Sequence, residues 1–219
     1  MLELNQKIET LVSLFTIDKG EVKVLLFKKK DEPYKDYWVL PGSILNNDET
    51  IESNIEKVIY EKVGLKDIYF EQIHIYSDIN RNHEERMLAV SHMALIDSVS
   101  LELKRELRTN YVSEWFNIDA IPKMAYDYNN IVLESINYLH KRIISSNVLK
   151  SLFPSDFTLP EIQNIYEQVL NKELDRRNFR KKFITLGLIE DTGYKNEGSN
   201  GRPAKLYRFK ETIKERDLF

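Results

Sequence analysis

The feature that most constrains the fold of this chain is a glycine-bounded stretch, residues 42–65. Within it, apolar residues recur at steps of three and four, which places them on one stripe of a helix. Pro41 and Gly42 form a turn signal before the stretch, and Gly64 follows the last apolar residue, as a helix C-cap does. We therefore predict a loop and then an amphipathic helix over residues 49–63. Its buried stripe would consist of Ile51, Ile55, Val58, Ile59 and Val63.

The segments around this helix are rich in β-branched and aromatic residues, which predicts strands. Residues 11–30 predict a β-hairpin, because two apolar runs flank the turn signal Asp18-Lys19-Gly20. Strands are also predicted at residues 37–41, 68–79, 86–97 and 111–118, and a second long helix at residues 130–144. Strands mixed with two long helices predict an α/β (α+β) domain over residues 1–146.

The character of the sequence changes after residue 146, where we place a domain boundary. Helices are predicted at residues 159–172 and 175–186, and Asp175 is a suitable N-cap for the second. Two apolar segments, residues 188–192 and 204–209, then bracket a turn rich in Gly and Asn. The order helix, helix, hairpin predicts a winged helix-turn-helix domain over residues 147–219.

The net charge of −3 conceals an asymmetry between the two predicted domains. Residues 1–145 carry 18 Lys and Arg against 24 Asp and Glu, whereas residues 172–210 carry 11 Lys and Arg against 5 Asp and Glu. One basic section in an acidic chain is typical of a protein that meets a polyanion. A charged surface that contacts only solvent would give the same counts, so charge alone leaves both readings open.

The basic helix at residues 175–186 separates into an apolar and a positive face. Phe179, Phe183 and Leu186 step by four and three and so face the core. A recognition helix places its N-terminal residues at base edges in the major groove, where Arg can read guanine and Asn adenine. An RNA partner is less favoured, because no exposed aromatic pattern accompanies the basic groups. We predict DNA contacts from Arg176, Arg177, Asn178, Arg180 and Lys181, and phosphate contacts from Lys182 and from the hairpin residues Arg202, Lys205 and Arg208.

Several function classes are disfavoured by composition. The chain has no cysteine, which excludes disulfides and thiolate metal sites. No apolar run reaches the roughly 18 residues of a transmembrane helix, and the N-terminus lacks the pattern of a signal peptide. We expect a cytoplasmic protein with no membrane partner and no cofactor. We also expect no metal site, because the four histidines, His74, His83, His92 and His140, lack the spacing of metal ligands.

Residues 42–65, with the lead-in Trp38-Val-Leu-Pro-Gly42, resemble the Nudix box. That pattern is Gly, five residues, Glu, seven residues, Arg-Glu-apolar-any-Glu-Glu, one residue, Gly-apolar. We fit it back from Gly64 with one extra residue in the loop. The early Glu then falls on Glu49, the Arg on Lys57, and the three glutamates of the catalytic helix on Val58, Glu61 and Lys62.

The resemblance implies an N-terminal Nudix-like α/β/α sandwich, but it argues against Nudix hydrolysis. Nudix hydrolases hold Mg²⁺ with clustered carboxylates, and a hard cation needs several oxygen ligands. Glu61 is one carboxylate, and Lys62 brings a positive charge beside it. We therefore predict a domain that keeps the fold and is not an enzyme. The alternative is a divergent Nudix hydrolase acting on a nucleoside-diphosphate compound, with Glu61 and loop acids holding Mg²⁺.

A narrower resemblance, to the NrtR family of Nudix-related transcriptional regulators, covers nearly the whole chain. It is carried by residues 157–159, 174–182 and 201–209 after the degenerate box. It implies a repressor that binds a palindromic double-stranded DNA operator as a homodimer. It also implies a small effector such as ADP-ribose, a related nucleotide or a pentose sugar. By the same resemblance, the effector site would include Arg81, Arg86, Asp127 and Trp38, although Trp38 at a strand end also suits the core.

Overall fold

The computed structural model describes residues 6–18, 21–97, 112–153, 156–196 and 203–210. The chain divides into two compact units. The first comprises Met1–Thr16 and Lys23–Asn137, and the second comprises Ile17–Val22 and Tyr138–Phe219. The division falls within a long helix, and the predicted boundary near residue 146 lies just after that helix ends. The boundary itself stays a prediction.

The first unit is built on a seven-stranded mixed sheet. The first two strands are neighbours in it, as the predicted hairpin requires, although residues 19–20 of the turn lie outside the described part. The first strand also runs parallel to the sixth, which pairs antiparallel with the fifth. The strands are β1 (Lys7–Asp18), β2 (Glu21–Lys28), β3 (Trp38–Val39), β4 (Gly42–Ile44), β5 (Phe70–Tyr76), β6 (Met87–Leu95) and β7 (Ser113–Asn117).

Strand β4 was not predicted, because three residues are too few for an alternating pattern to be recognised. It pairs antiparallel with β1, with Gly42 opposite Leu11. A Cβ atom on Gly42 would lie 2.5 Å from both Leu11 Cδ2 and the Thr10 carbonyl oxygen. Glycine is therefore required there for the close approach of the two backbones.

Helix α1 (Ile51–Val63) confirms the predicted amphipathic helix. It begins two residues later than predicted because Thr50 is the N-cap, and it ends at Gly64, which adopts a left-handed φ of 65°. Its buried residues, including Ile55 and Val58, pack against one face of β1 and β2 in a single apolar cluster.

The second long helix, α2 (Tyr128–Ser145), begins on the opposite face of β1. Side chains alternate along a strand, so Val12 and Leu14 face α1, whereas Ser13 faces α2 and donates a hydrogen bond to Ser135 Oγ at 2.9 Å. The sheet thus lies between two helices, which is the predicted α/β/α arrangement.

The second unit has the predicted order of helix, helix and hairpin. Its elements are a 3-10 helix (Val148–Leu152), β8 (Phe157–Thr158), α3 (Leu159–Leu170), α4 (Arg176–Thr185), β9 (Ile189–Lys195) and β10 (Lys205–Phe209). Strand β8 was not predicted, and it adds a third strand to the hairpin of β9 and β10. Asp175 is the N-cap of α4, as predicted, and accepts a hydrogen bond from Asn178 N at 2.8 Å.

The core of this second unit is aromatic. Phe179 and Phe183 stack with ring centroids 4.5 Å apart, and Tyr166 of α3 meets both rings edge-on. All three side chains are buried. Among the described residues, no helix has both the length and the apolar character needed to cross a bilayer.

Candidate DNA-binding surface and effector site

Helix α4 presents its polar residues to solvent because its two phenylalanines anchor the other face. Phe179 and Phe183 are 2% and 0% exposed. Lys182 and Leu186 are half-buried at the edge of that anchored face. The residues predicted to contact bases are all exposed, namely Arg176, Arg177, Asn178, Arg180 and Lys181. Their contact with DNA stays a prediction.

Two positive charges of the hairpin, on Lys205 and Arg208, are paired with carboxylates. Lys205 Nζ lies 2.6 Å from Asp191 Oδ2, and Arg208 Nε lies 2.7 Å from Asp156 Oδ1. The bond to Asp191 raises the pKa of Lys205, and the nearby charge of Arg180 acts in the opposite direction. Lys205 and Arg180 of α4 are therefore near enough to interact electrostatically. Arg202 falls outside the described residues.

Two positions fitted to the Nudix box are in contact. Lys57 Nζ lies 2.8 Å from Glu49 Oε1, and Asn54 Nδ2 donates to Glu49 Oε2 at 2.7 Å. The bonds from Lys57 and Asn54 lower the pKa of Glu49 to about 2. In the fit with one extra loop residue, these two positions correspond to the Glu and Arg of the pattern.

The catalytic-helix positions of the box have different surroundings. Val58 is 1% exposed in the apolar cluster, and Lys62 Nζ lies 5.6 Å from the centre of the Phe27 ring. Glu61 is exposed. Across the part of the chain that the structure describes, no group of three or more His, Asp or Glu side chains could hold a metal ion.

Two of the predicted effector residues, Arg81 and Asp127, form a buried ion pair. Arg81 Nε and Nη2 donate to the two carboxylate oxygens of Asp127, each at 3.1 Å. Arg81 Nη2 also lies 3.5 Å from Glu9 Oε2, and its side chain is 2% exposed. Such a two-point pairing fixes the guanidinium plane and satisfies much of its charge.

Sequence reasoning missed Glu9, which completes this cluster from β1. Tyr128 Oη donates to Glu9 Oε1 at 2.7 Å. Burial raises the pKa of the Glu9 carboxyl, against the opposing effects of Tyr128 and Arg81, and burial also raises the pKa of Tyr128. The sequence feature that could have identified Glu9 is its position on β1, where it is the one glutamate on the same strand face as Leu11 and Ser13. We name Glu9, Arg81, Asp127 and Tyr128 the Arg81 cluster.

A row of tyrosines leads away from the Arg81 cluster. The ring centroids of Tyr126 and Tyr128 are 5.3 Å apart, and those of Tyr34 and Tyr126 are 4.7 Å apart. Tyr126 has a φ of 52°, an uncommon conformation for a bulky residue. Aromatic faces beside carboxylate oxygens suit a ligand that has both apolar surface and hydroxyl groups.

The other two predicted effector residues have separate contacts. Trp38 is half-buried and meets Phe116 edge-on at 4.7 Å, with Lys28 Nζ 5.3 Å from its ring centre. Arg86 Nη1 donates to the carbonyl oxygens of Ser77 and Asp78 at 3.0 and 3.1 Å. Trp38 thus packs within the sheet, and Arg86 holds the loop after β5.

Comparison with known proteins agrees with this arrangement. Residues 149–209 match the NrtR DNA-binding winged helix domain. The chain is 29% identical over 202 residues to the ADPR responsive transcriptional repressor NtrR of Acinetobacter baylyi, which covers 90% of this chain and 80% of that protein. The second unit therefore matches the NrtR type of winged helix, and the chain as a whole is similar to NrtR proteins.

The NrtR resemblance extends through both units. The crystal structure of Shewanella oneidensis NrtR complexed with a 27mer DNA superimposes with a TM-score of 0.82 at 26% identity, and covers 93% of each chain. An ADP-ribose pyrophosphatase of Methanocaldococcus jannaschii is 27% identical over 127 residues, 58% of this chain and 73% of that enzyme. The NrtR winged helix match contains α3, α4 and the three-stranded sheet of the second unit.

Proposed function

We propose that this protein is a DNA-binding transcriptional repressor whose Nudix-like domain binds a small effector. The observation that carries the proposal is the exposed basic face of α4, whose opposite face is fixed by Phe179 and Phe183. The relative in Acinetobacter baylyi is described as a repressor, and NrtR of Shewanella oneidensis was crystallised with DNA. We place the protein in the cytoplasm, where its proposed DNA partner lies.

In this proposal α4 enters the major groove of a palindromic operator, and a homodimer supplies two such helices. Arg177 and Asn178 lie in the first turn of α4, and we expect them to contact base edges. Lys182, Arg202, Lys205 and Arg208 contribute to affinity through phosphate contacts, which position the protein without reading sequence.

We place the effector beside the Arg81 cluster, with Arg81 and Asp127 as a preformed pair. ADP-ribose, a related nucleotide and a pentose sugar are the candidates. The cluster sets two carboxyl groups against one guanidinium group, which disfavours a phosphate at this point. Carboxylate oxygens and tyrosine rings instead favour the hydroxyl groups and apolar face of a sugar, either free or as part of a nucleotide. Arg86 and Trp38 remain candidate effector residues outside this cluster.

We further propose that the Nudix-like domain does not catalyse hydrolysis. Two of its three catalytic-helix positions are Val58 and Lys62, which contact the apolar cluster and the Phe27 ring. The similarity to an ADP-ribose pyrophosphatase keeps one alternative open, a divergent hydrolase that uses Glu61. Turnover of ADP-ribose with Mg²⁺ that is abolished by Glu61→Gln would establish the alternative.

DNA binding is tested by selecting sequences from a random duplex pool with the full chain. We expect one palindromic sequence to be enriched, with an affinity that falls as salt is raised. Arg177→Ala should weaken binding by about tenfold or more, because a bidentate contact to guanine contributes about 1–3 kcal/mol. Glu71→Ala, a change on β5 outside the winged helix match, is the control and should leave the affinity unchanged. A pool that shows no enrichment would refute DNA recognition.

Effector binding is tested by thermal unfolding with ADP-ribose, related nucleotides and pentoses. A ligand that binds only the folded protein raises the melting temperature in proportion to the logarithm of its concentration. Asp127→Asn should remove the shift, since it breaks the pair that orients Arg81. Asp119→Asn, on a loop outside the Arg81 cluster, should leave the shift unchanged.

A further inference from the structure

The exposed face of α4 contains one apolar side chain among its charges. Ile184 is 47% exposed, although the helix positions next to it on this face are Arg180 and Lys181. At about 100° per residue, Arg177, Lys181 and Ile184 lie about 140°, 180° and 120° from the midpoint of Phe179 and Phe183. They therefore form one stripe that faces away from the core.

A partner that covers this stripe must combine negative charge with an apolar group. The major groove of DNA has both, because phosphates border it and each thymine projects a 5-methyl group into it. RNA lacks that methyl group on uracil, and its major groove is too narrow for side chains to read. Between the two nucleic acids, the chemistry of the stripe thus favours thymine-containing duplex DNA.

We infer that Ile184 reads the 5-methyl group of a thymine in the operator, an inference that rests on the proposed DNA-binding function. Arg177 and Ile184 are separated by roughly 10 Å along the helix axis. In this inference the stripe reads two different base pairs in each half-site, a guanine through hydrogen bonds and a thymine through apolar contact.

The test replaces thymine by deoxyuridine, which removes only the methyl group. The operator selected with the full chain is resynthesised with each thymine changed in turn, the change being made in both half-sites. For the wild-type protein, we expect one position to weaken binding by about threefold to fivefold, the contribution of roughly one buried methyl group. Ile184→Ala should bind both operators with the same, weakened affinity.

Two further variants keep this test specific. Ile184→Val retains a branched side chain and should retain part of the discrimination between thymine and deoxyuridine. Arg180→Ala should lower the affinity for both operators by one common factor, because it removes charge and leaves the methyl contact intact. Circular dichroism establishes that each variant is folded before its affinity is compared.

The failures are distinguishable. If no sequence is enriched, both the proposed function and this inference are overturned. If a sequence is enriched but no deoxyuridine position weakens wild-type binding, only the thymine contact is overturned. The same holds if Ile184→Ala keeps the full discrimination.

Discussion

Glu49 and Lys57 show how a paired carboxylate makes the free energy of unfolding depend on pH. The bonds from Lys57 and Asn54 hold the pKa of Glu49 at about 2, below its ordinary value of 4.5. A carboxyl group whose pKa is lower in the folded protein than in the unfolded protein stabilises the fold. This stabilisation is complete at pH values above the pKa of the unfolded state, and it is lost as the pH falls through the pKa of the folded state.

We therefore expect Glu49→Gln to lower the melting temperature at neutral pH and to have a vanishing effect toward pH 2. Thermal unfolding of both proteins across this range measures the difference. Glu56→Gln, an exposed change on α1, is the control and should give a difference that does not follow this pH profile. A Glu49→Gln effect that is constant with pH would contradict the role of the ionised carboxylate.

The ion pair between Lys205 and Asp191 leads to a prediction about DNA affinity. Asp191 holds Lys205 Nζ at 2.6 Å and adds a negative charge to the proposed DNA-binding surface. Asp191→Asn should therefore increase affinity for DNA by about threefold to tenfold at low salt, with a smaller gain at high salt as screening increases. Fluorescence anisotropy over a salt series measures this change.

The matched control is Glu114→Gln, which makes the same kind of charge change on β7 in the first unit. It should leave DNA affinity unchanged. Equal affinity of Asp191→Asn and the wild type at every salt concentration would show that Lys205 does not approach the phosphates.

Residue pairs such as these were the part of the site that sequence reasoning missed. Arg81 and Asp127 were each predicted, but their pairing, and the part played by Glu9, depend on segments brought together by the sheet. Local periodicity contains no information about which distant strand lies alongside β1. The partners of Lys205 and Arg208 were missed for the same reason, since Asp191 and Asp156 come from other strands or loops.

At the scale of elements, the second unit depends on the ring stack that fixes α4. Phe183 is 0% exposed and contacts both Phe179 and Tyr166. Phe183→Ala should destabilise this unit by about 3–5 kcal/mol, because it removes a buried ring and leaves a cavity. DNA binding should fall with the loss of folded α4, while effector-induced stabilisation of the first unit should persist.

Thermal unfolding and DNA titration of the same sample measure the two effects of Phe183→Ala. Tyr194→Ala is a suitable control, since this aromatic side chain is 71% exposed on β9. It should unfold like the wild type. An unchanged unfolding curve for Phe183→Ala would contradict the central role of the ring stack.

Element prediction succeeded where the pattern was long and failed where it was short. The stripe of α1 spans more than three turns, so its period is unambiguous, and the N-cap Asp175 located the start of α4 correctly. Strands β4 and β8 have three and two residues. These short strands form because β1 and β10 provide hydrogen-bond partners for their backbone N–H and C=O groups. No local sequence pattern reveals this contribution.

At the scale of the whole molecule, the proposed repressor should act as a pair of 26.0 kDa chains. A two-fold dimer binds two half-sites related by the same symmetry, spaced by about one helical turn or a multiple of it. Light scattering should therefore give two chains per operator. An operator that retains one half-site should bind much more weakly, and a complex of one chain with full affinity for a single half-site would contradict the dimer.

The burial of Val58 has an evolutionary consequence. This position corresponds to a glutamate of the Nudix box, yet its neighbours are now Val12, Leu25, Ile55 and other apolar side chains. A lone Val58→Glu reversion would place a carboxylate in an apolar environment, which carries a large desolvation penalty. If the domain lacks hydrolase activity, as we propose, no single substitution at this position is expected to restore it, and the loss would be difficult to reverse in evolution.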